Sequence, residues 1–342
     1  MTILGPSAIS IFLLMTSLNP PLAAAENMCK KHSMRHGIFS ISADGKNLTL
    51  LRETPGPAAY SNLHVSPDGK RIVFSRCTQD LNEDCLCDRK DYFTREIVVS
   101  DLDGSNELIV GPDEGGFNHY PNWSPDGGSV IFVHSTVANR ADTGIYKFDL
   151  KTKKLSRLLD RPNQMETDNF WNTDGSLMVV SQSIKDGKPV EPNNIFRFDA
   201  NRDSLDKLTN YTATLGRHCC AADPKFSPDM KILAHAEFRG ITESDGRKVE
   251  NWDIVLKSSE SVTYLGRNTS EDYWPMWNSD SSGLLWISYA PLDNRYSLTF
   301  YRLVRSEELR VDLIGEGIEF EKAEGGYLLG HVGWVDWFHP KT

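Results

Sequence analysis

No cluster of Lys or Arg occurs in this sequence, and its 37 basic side chains are outnumbered by 47 acidic ones, for a formal charge of −10. Phosphate binding requires a basic face, so the balance argues against nucleic acid as a main partner. After the first 25 residues no apolar run is long enough to span a bilayer, and no stretch keeps a helical period. The P-loop, the dinucleotide G-x-G-x-x-G, the H-E-x-x-H pair and the G-x-S-x-G elbow are all missing. Without that elbow, and without residues to spare for an α/β-hydrolase domain, a serine peptidase of the α/β-hydrolase kind is not expected.

Charge is also missing from Met1 to Ala25, where Ala8 to Met15 forms an apolar core followed by Pro20-Pro21 and Ala23-Ala24-Ala25. The small-residue ending reads as a secretory leader, residues 1–25, cut before Glu26, although a positive n-region is lacking. The expected life of the remaining chain, residues 26–342, is that of one exported domain, periplasmic or secreted, without a membrane span. Glu26-Asn27-Met28 before Cys29 does not resemble a lipid-attachment site. The six cysteines, Cys29, Cys77, Cys85, Cys87, Cys219 and Cys220, fit an oxidising compartment. Cys85-Leu86-Cys87 lacks the spacing of a zinc or redox pair. At least one disulfide is expected to involve the polar insertion around Cys77 to Cys87. Cys219-Cys220 reads either as a vicinal disulfide or as two ordinary cysteines.

What the chain has in abundance is repetition. Asn122-Trp123-Ser124-Pro125-Asp126-Gly127 runs into Val130-Ile131-Phe132-Val133, a strand, a tight Asp-Gly turn and a second strand. Related turns stand at Asp68, Asp174, Asp229 and Asp280, each leading into an apolar strand, with a worn sixth copy around Trp334 to Phe338. The turn aspartates are 58, 48, 55 and 51 residues apart. A second hairpin alternates with the first, beginning with Ile38 to Leu51 and Ile97 to Val110 and ending with Leu298 to Leu313. Each period therefore holds four short strands, the content of one propeller blade.

The expected fold is all-β: a six-bladed β-propeller with four-stranded blades, closed where N- and C-terminal strands share one blade. That blade is one strand short, and 318–320 or 327–329 are candidates to supply it. The turn aspartates read as local backbone binders and the repeat tryptophans as core anchors.

The recurring Trp-Ser-Pro-Asp-Gly turn, with its following Ile-x-x-x-Asp-x-x-Gly hairpin, resembles the TolB-like β-propeller repeat. The resemblance covers roughly Gly37 to Pro340 and extends to the propeller only, because no residues remain for the N-terminal α/β domain of the family's namesake. Propellers of this kind serve as periplasmic binding scaffolds, enzyme accessory domains and polysaccharide lyases, so the resemblance implies a fold more firmly than an activity.

Function in a propeller sits where loops of different blades meet. Read in phase, that mouth is expected to hold Tyr60, His119, Tyr120, Glu166, Asp168, His218, Asp223, Asp272, Tyr273, Trp274 and His331. The expected role is a noncatalytic, monomeric scaffold for a protein or envelope glycan, with no required cofactor. The alternative is a metal-assisted polysaccharide lyase or hydrolase. It would hold a divalent cation in the central channel on His119, His218 and His331, beside the carboxylates.

Overall fold

The computed structural model describes residues 10–18, 36–42, 49–53, 60–78, 95–112, 116–136, 143–186, 188–212, 220–244, 246–266, 270–290, 295–303, 306–312 and 328–338. All the regular structure among them is strand. In chain order the strands are β1 (Ser10–Leu18), β2 (His36–Ser42) and β3 (Thr49–Glu53); β4 (Tyr60–Val65), β5 (Arg71–Cys77), β6 (Arg95–Asp101) and β7 (Leu108–Val110); β8 (Gly116–Trp123), β9 (Ser129–Thr136), β10 (Gly144–Asp149) and β11 (Lys154–Leu159). There follow β12 (Gln164–Trp171), β13 (Leu177–Lys185), β14 (Lys188–Pro189), β15 (Asn194–Asp199) and β16 (Ser204–Lys207); β17 (Ala221–Phe226), β18 (Leu233–Ser244), β19 (Arg247–Lys257) and β20 (Val262–Leu265); and β21 (Glu271–Trp277), β22 (Gly283–Ala290), β23 (Arg295–Arg302), β24 (Glu307–Asp312) and β25 (Leu328–Phe338).

Strands β4 to β7 and β8 to β11 form antiparallel four-stranded sheets, and β12, β13, β15 and β16 form a third with β14 appended. Strands β17 to β24 form one eight-stranded sheet, whose two halves meet only through the parallel pairing of Trp252 with Glu271. The remaining sheet runs β25-β1-β2-β3. The extra strand in this sheet is therefore β1, the apolar stretch that the sequence reads as part of a leader. Leu328 and Leu329 instead open β25, and 318–320 lie outside the described residues.

Sheets stack because each middle strand is apolar on both faces. Val130, Ile131, Phe132 and Val133 are all fully buried, although a strand sends alternate side chains to opposite sides. Val130 and Phe132 pack with Val73, Ile97 and Val99 of the preceding sheet. Ile131 faces the other way, toward Leu177, Val179 and Phe198 of the following one. The same division recurs where Met178 and Val180 meet Ala221 and Leu233, and where Ala234 and Ala236 meet Leu284 and Trp286.

The repeated turn has one construction. Ser124 Oγ donates to Asp126 Oδ1 at 2.5 Å and accepts from the Ser129 N–H at 2.9 Å, while Gly127 N–H donates to the Ser124 carbonyl at 2.8 Å. Gly127 has φ +69°, which a glycine adopts without strain. The Trp123 indole reaches back to the His64 carbonyl at 3.0 Å, and Trp277 reaches the Lys225 carbonyl at 3.1 Å. These tryptophans thus anchor one unit to the inner strand of the unit before it.

Candidate functional site

The site is made by an irregularity that recurs in five inner strands. β4, β8, β12, β17 and β21 each carry one extra residue relative to the partner strand, between Ser61 and His64, His119 and Asn122, Thr167 and Phe170, Ala222 and Lys225, and Tyr273 and Met276. Within each bulge one residue adopts a left-handed backbone: Asn62 (φ 53°), Tyr120 (51°), Asp168 (41°), Asp223 (52°) and Trp274 (56°). A bulge re-aims a side chain that regular pleating would send into a sheet interface. All five of these residues line one cavity, together with His64, Asn169, Phe170, Pro224 and Lys225. The space, which is open on one side, is about 20 Å³, room for a water-sized group.

Hydrogen bonds run around this throat from strand to strand. Trp274 N–H donates to Asp223 Oδ2 at 3.3 Å. Asp223 N–H and the Tyr120 side chain in turn hydrogen-bond the Asp168 carboxylate. Asn169 Nδ2 donates to the Tyr120 carbonyl at 3.0 Å. Lys225 is buried with its Nζ 4.9 Å from the centre of the Phe170 ring and against the Met276 sulfur.

Burial governs the electrostatics. It pushes the Asp168 carboxyl up to about 6, against the Tyr120 and Asp223 hydrogen bonds and the Lys225 charge. Burial also raises Asp223 well above the usual carboxylate range, helped by repulsion from Asp168 and opposed by Lys225. His64 is held neutral by burial and then by Lys225. The throat therefore contains two close carboxyl groups that resist ionising together.

The expected mouth residues separate into two sets. Tyr120, Asp168, Asp223 and Trp274 come together in the throat, and Tyr273 stands next to it with its ring centre 5.8 Å from that of Trp274. Glu166 and Asp272 each lie two residues before a bulge, where the side chain faces a sheet interface, and they are 0% and 1% exposed. Glu166 is paired with Arg161 at 2.8 Å. Asp272 accepts from Ser270 at 3.2 Å, and burial raises its pKa to about 6. His119 is buried outside the throat, stacked on Phe117 at 5.1 Å and edge-on to Tyr120 at 4.2 Å. Burial, then Arg95, keeps it neutral. The Tyr60 and His331 side chains and the whole of His218 lie outside the described residues. Among the described residues no three His, Cys, Asp or Glu side chains converge as a metal set.

Sequence reading in phase reaches Asn62 beside Tyr60, but it missed His64, Asn169, Phe170, Pro224 and Lys225 as throat residues. The signal was nonetheless present: each bulge residue precedes its turn aspartate by six positions, and Pro121, Pro224 and Pro275 follow three of them.

The fold has known counterparts. Over 98% of this chain and 68% of the other, the crystal structure of TolB from Acinetobacter baumannii superimposes with a TM-score of 0.60 at 18% identity. The fold is a TolB-like β-propeller. A putative TolB from Agrobacterium tumefaciens matches the propeller with a TM-score of 0.56 at 14% identity, covering 98% of this chain and 99% of that one. An oligogalacturonate lyase in complex with manganese gives 0.51 at 14% identity, over 78% of this chain and 73% of the other. In sequence, the Tricorn protease of Thermoplasma acidophilum is 23% identical over 304 residues; the match takes in 81% of this chain but spans only 27% of that protease. No protein-family model matches the chain.

Proposed function

We propose that this chain is an exported, noncatalytic binding propeller that grips an extended segment of a partner protein at its channel mouth. The observation behind the reading is the throat, where five strands far apart in sequence each turn one bulged residue toward the same small space. A rigid ring with convergent polar and aromatic groups is suited to binding.

In this reading the propeller has six blades, the eight-stranded sheet counting as two, and the ring is closed by the terminal strands. Contacts of β25 with both β4 and β21 support closure. A disulfide at Cys220 supports an oxidising compartment. Cleavage of a leader before Glu26 would remove β1 from between β2 and β25, so the mature blade would pair differently at that point.

The enzymatic alternative would use Asp168 or Asp223 as an acid or base. A space of about 20 Å³ takes a water-sized group at its base, which suits the tip of a slim protein side chain better than a whole sugar ring. The test is site-specific photocrosslinking in extracts of the producing cell. A photoreactive residue in place of Tyr273 should give one discrete protein adduct, and the same residue at Thr152, on an outer turn, should give none. Equal labelling at both positions, or none at Tyr273, would reject the reading.

A further inference from the structure

The throat also specifies a ligand chemistry, an inference that rests on the binding role proposed above. Asn62 is fully buried and lines the cavity, yet neither its Oδ1 nor its Nδ2 has a hydrogen-bond partner among the described residues. Asn169, 6% exposed and also in the lining, leaves its Oδ1 without one. A buried amide left unpaired is costly, so the space is built for an occupant that completes these bonds.

The unfilled groups are mostly acceptors. The unpartnered atoms are two amide oxygens, of Asn62 and Asn169, and one donor, the Asn62 amide nitrogen. The Asp168 and Asp223 carboxylates, already bonded to neighbouring strands, line the same space and add acceptor capacity and negative charge. A water molecule brings two donors, whereas a primary ammonium brings three and a positive charge. With both aspartates ionised the throat carries two negative charges against the one of Lys225, and one further positive charge balances it. Size also discriminates: an ammonium is as compact as water, and a planar guanidinium is larger. The half-buried rings of Tyr273 and Trp274 stand beside the throat, where a four-carbon stem can lie on them.

We propose that the throat is a socket for one primary ammonium group, the tip of a lysine side chain on the partner protein. Because the two carboxyl groups resist ionising together, arrival of the cation expels a proton from the pair, and binding tightens as pH rises.

The probe is n-butylammonium, titrated calorimetrically into the full chain, with n-butanol and guanidinium as comparisons. n-Butylammonium is expected to bind saturably with release of a proton, read from heats in buffers of different ionisation enthalpy, and more tightly at pH 8 than at pH 5. The comparisons are expected to bind about tenfold or more weakly. Asp168→Asn and Asp223→Asn, which keep a side chain that tolerates left-handed backbone, should each weaken the probe by about tenfold or more. Asp149→Asn, on an outer turn, should not.

Equal binding of n-butanol, unaltered binding in both throat variants, or no saturable binding and only a buried water would overturn the socket. Should the variants fail to fold, the pH dependence and proton release of the unmodified chain still decide. Crosslinking at Tyr273 that persists under saturating n-butylammonium would sink the socket and leave the binding role intact. Probe binding without any crosslinked partner would do the reverse.

Discussion

Trp274 N–H donates to the Asp223 carboxylate at 3.3 Å, joining the bulges of two neighbouring inner strands. Asp223 passes the connection on, because its own N–H bonds the Asp168 carboxylate. Each aspartate thus has two tasks: holding the next strand and presenting negative charge to the throat. Both tasks depend on a left-handed backbone, with φ 52° at Asp223 and 41° at Asp168.

That dependence gives the first expectation. Asp223→Asn keeps an acceptor and a residue type at ease with positive φ, and it removes a carboxyl whose ionisation burial and Asp168 oppose, so the variant should be at least as stable as the parent at neutral pH. Asp223→Val places a β-branched side chain in left-handed space and removes the acceptor, with an expected loss of about 2–3 kcal/mol. Urea denaturation of the two variants at one pH makes the comparison. Equal midpoints would show that the bulge does not constrain the residue.

Asp168 yields a pH dependence with a definite sign. Its folded pKa of about 6 lies above the ordinary 3.8. The folded chain therefore holds a proton that the unfolded chain releases between about pH 4 and 6, and stability from this group falls as pH rises through that window. Asp168→Asn should gain relative to the parent across the same window and then level off, by on the order of 2 kcal/mol. His64 and His119 act in the opposite sense, since both are held neutral well below 6.5 and lose stability as pH falls. The difference between parent and variant removes the histidine contributions and reports the Asp168–Asp223 pair, so melting temperatures of both must be followed from pH 4 to 8.

The turn serines offer a simpler measurement. Ser124→Ala deletes the hydroxyl that donates to Asp126 and accepts from Ser129 N–H. That hydroxyl is the main cause of the depressed Asp126 pKa, ahead of the Gly128 N–H. The expected cost is about 1 kcal/mol by chemical denaturation. No loss would mean that water replaces both bonds without penalty.

The strands and turns were legible because apolar runs and Ser-x-Asp turns are local features. Val130 to Val133 announces a strand buried on both sides, and Asp126-Gly127 announces its turn. The throat was only partly legible. Its positions are fixed by phase, six residues before each turn aspartate, but their types are Asn, Tyr, Asp, Asp and Trp, so no shared residue marks them. A bulge also changes which neighbour faces inward. His119 and Glu166 looked like mouth residues by proximity in sequence, yet the extra residue turns Tyr120 and Asp168 inward and leaves those two outside the throat. The apolar stretch 10–18 posed a different difficulty, since low charge and high hydrophobicity suit a leader and a buried strand equally.

Stretch 10–18 therefore has its own test. β1 pairs with β25 from Ser10 opposite Phe338 to Leu18 opposite Leu328, and with β2 from Ser10 opposite Ser42 to Thr16 opposite His36. A chain beginning at Glu26 loses both ladders and should melt at a lower temperature than the full chain. Equal melting temperatures would mean that β1 adds nothing to the fold and that 1–25 acts as a leader alone.

Gly266 separates backbone strain from steric conflict. Its φ is +149°, and an added Cβ would stand 2.5 Å from Asp253 Oδ1 and 2.8 Å from Asp272 Oδ2. Both carboxylates are buried, so neither can swing into solvent without opening the packing between β19 and β21. Gly175, by contrast, has φ +83° and nothing within 4 Å of an added Cβ. Gly175→Ala should cost only the left-handed backbone, about 1–2 kcal/mol. Gly266→Ala adds a clash with two oxygen atoms to that strain, and should cost roughly 3 kcal/mol or more. If the two variants unfold at the same denaturant concentration, the carboxylates yield freely, and the close packing of Asp253 and Asp272 around Gly266 is not a constraint on the fold.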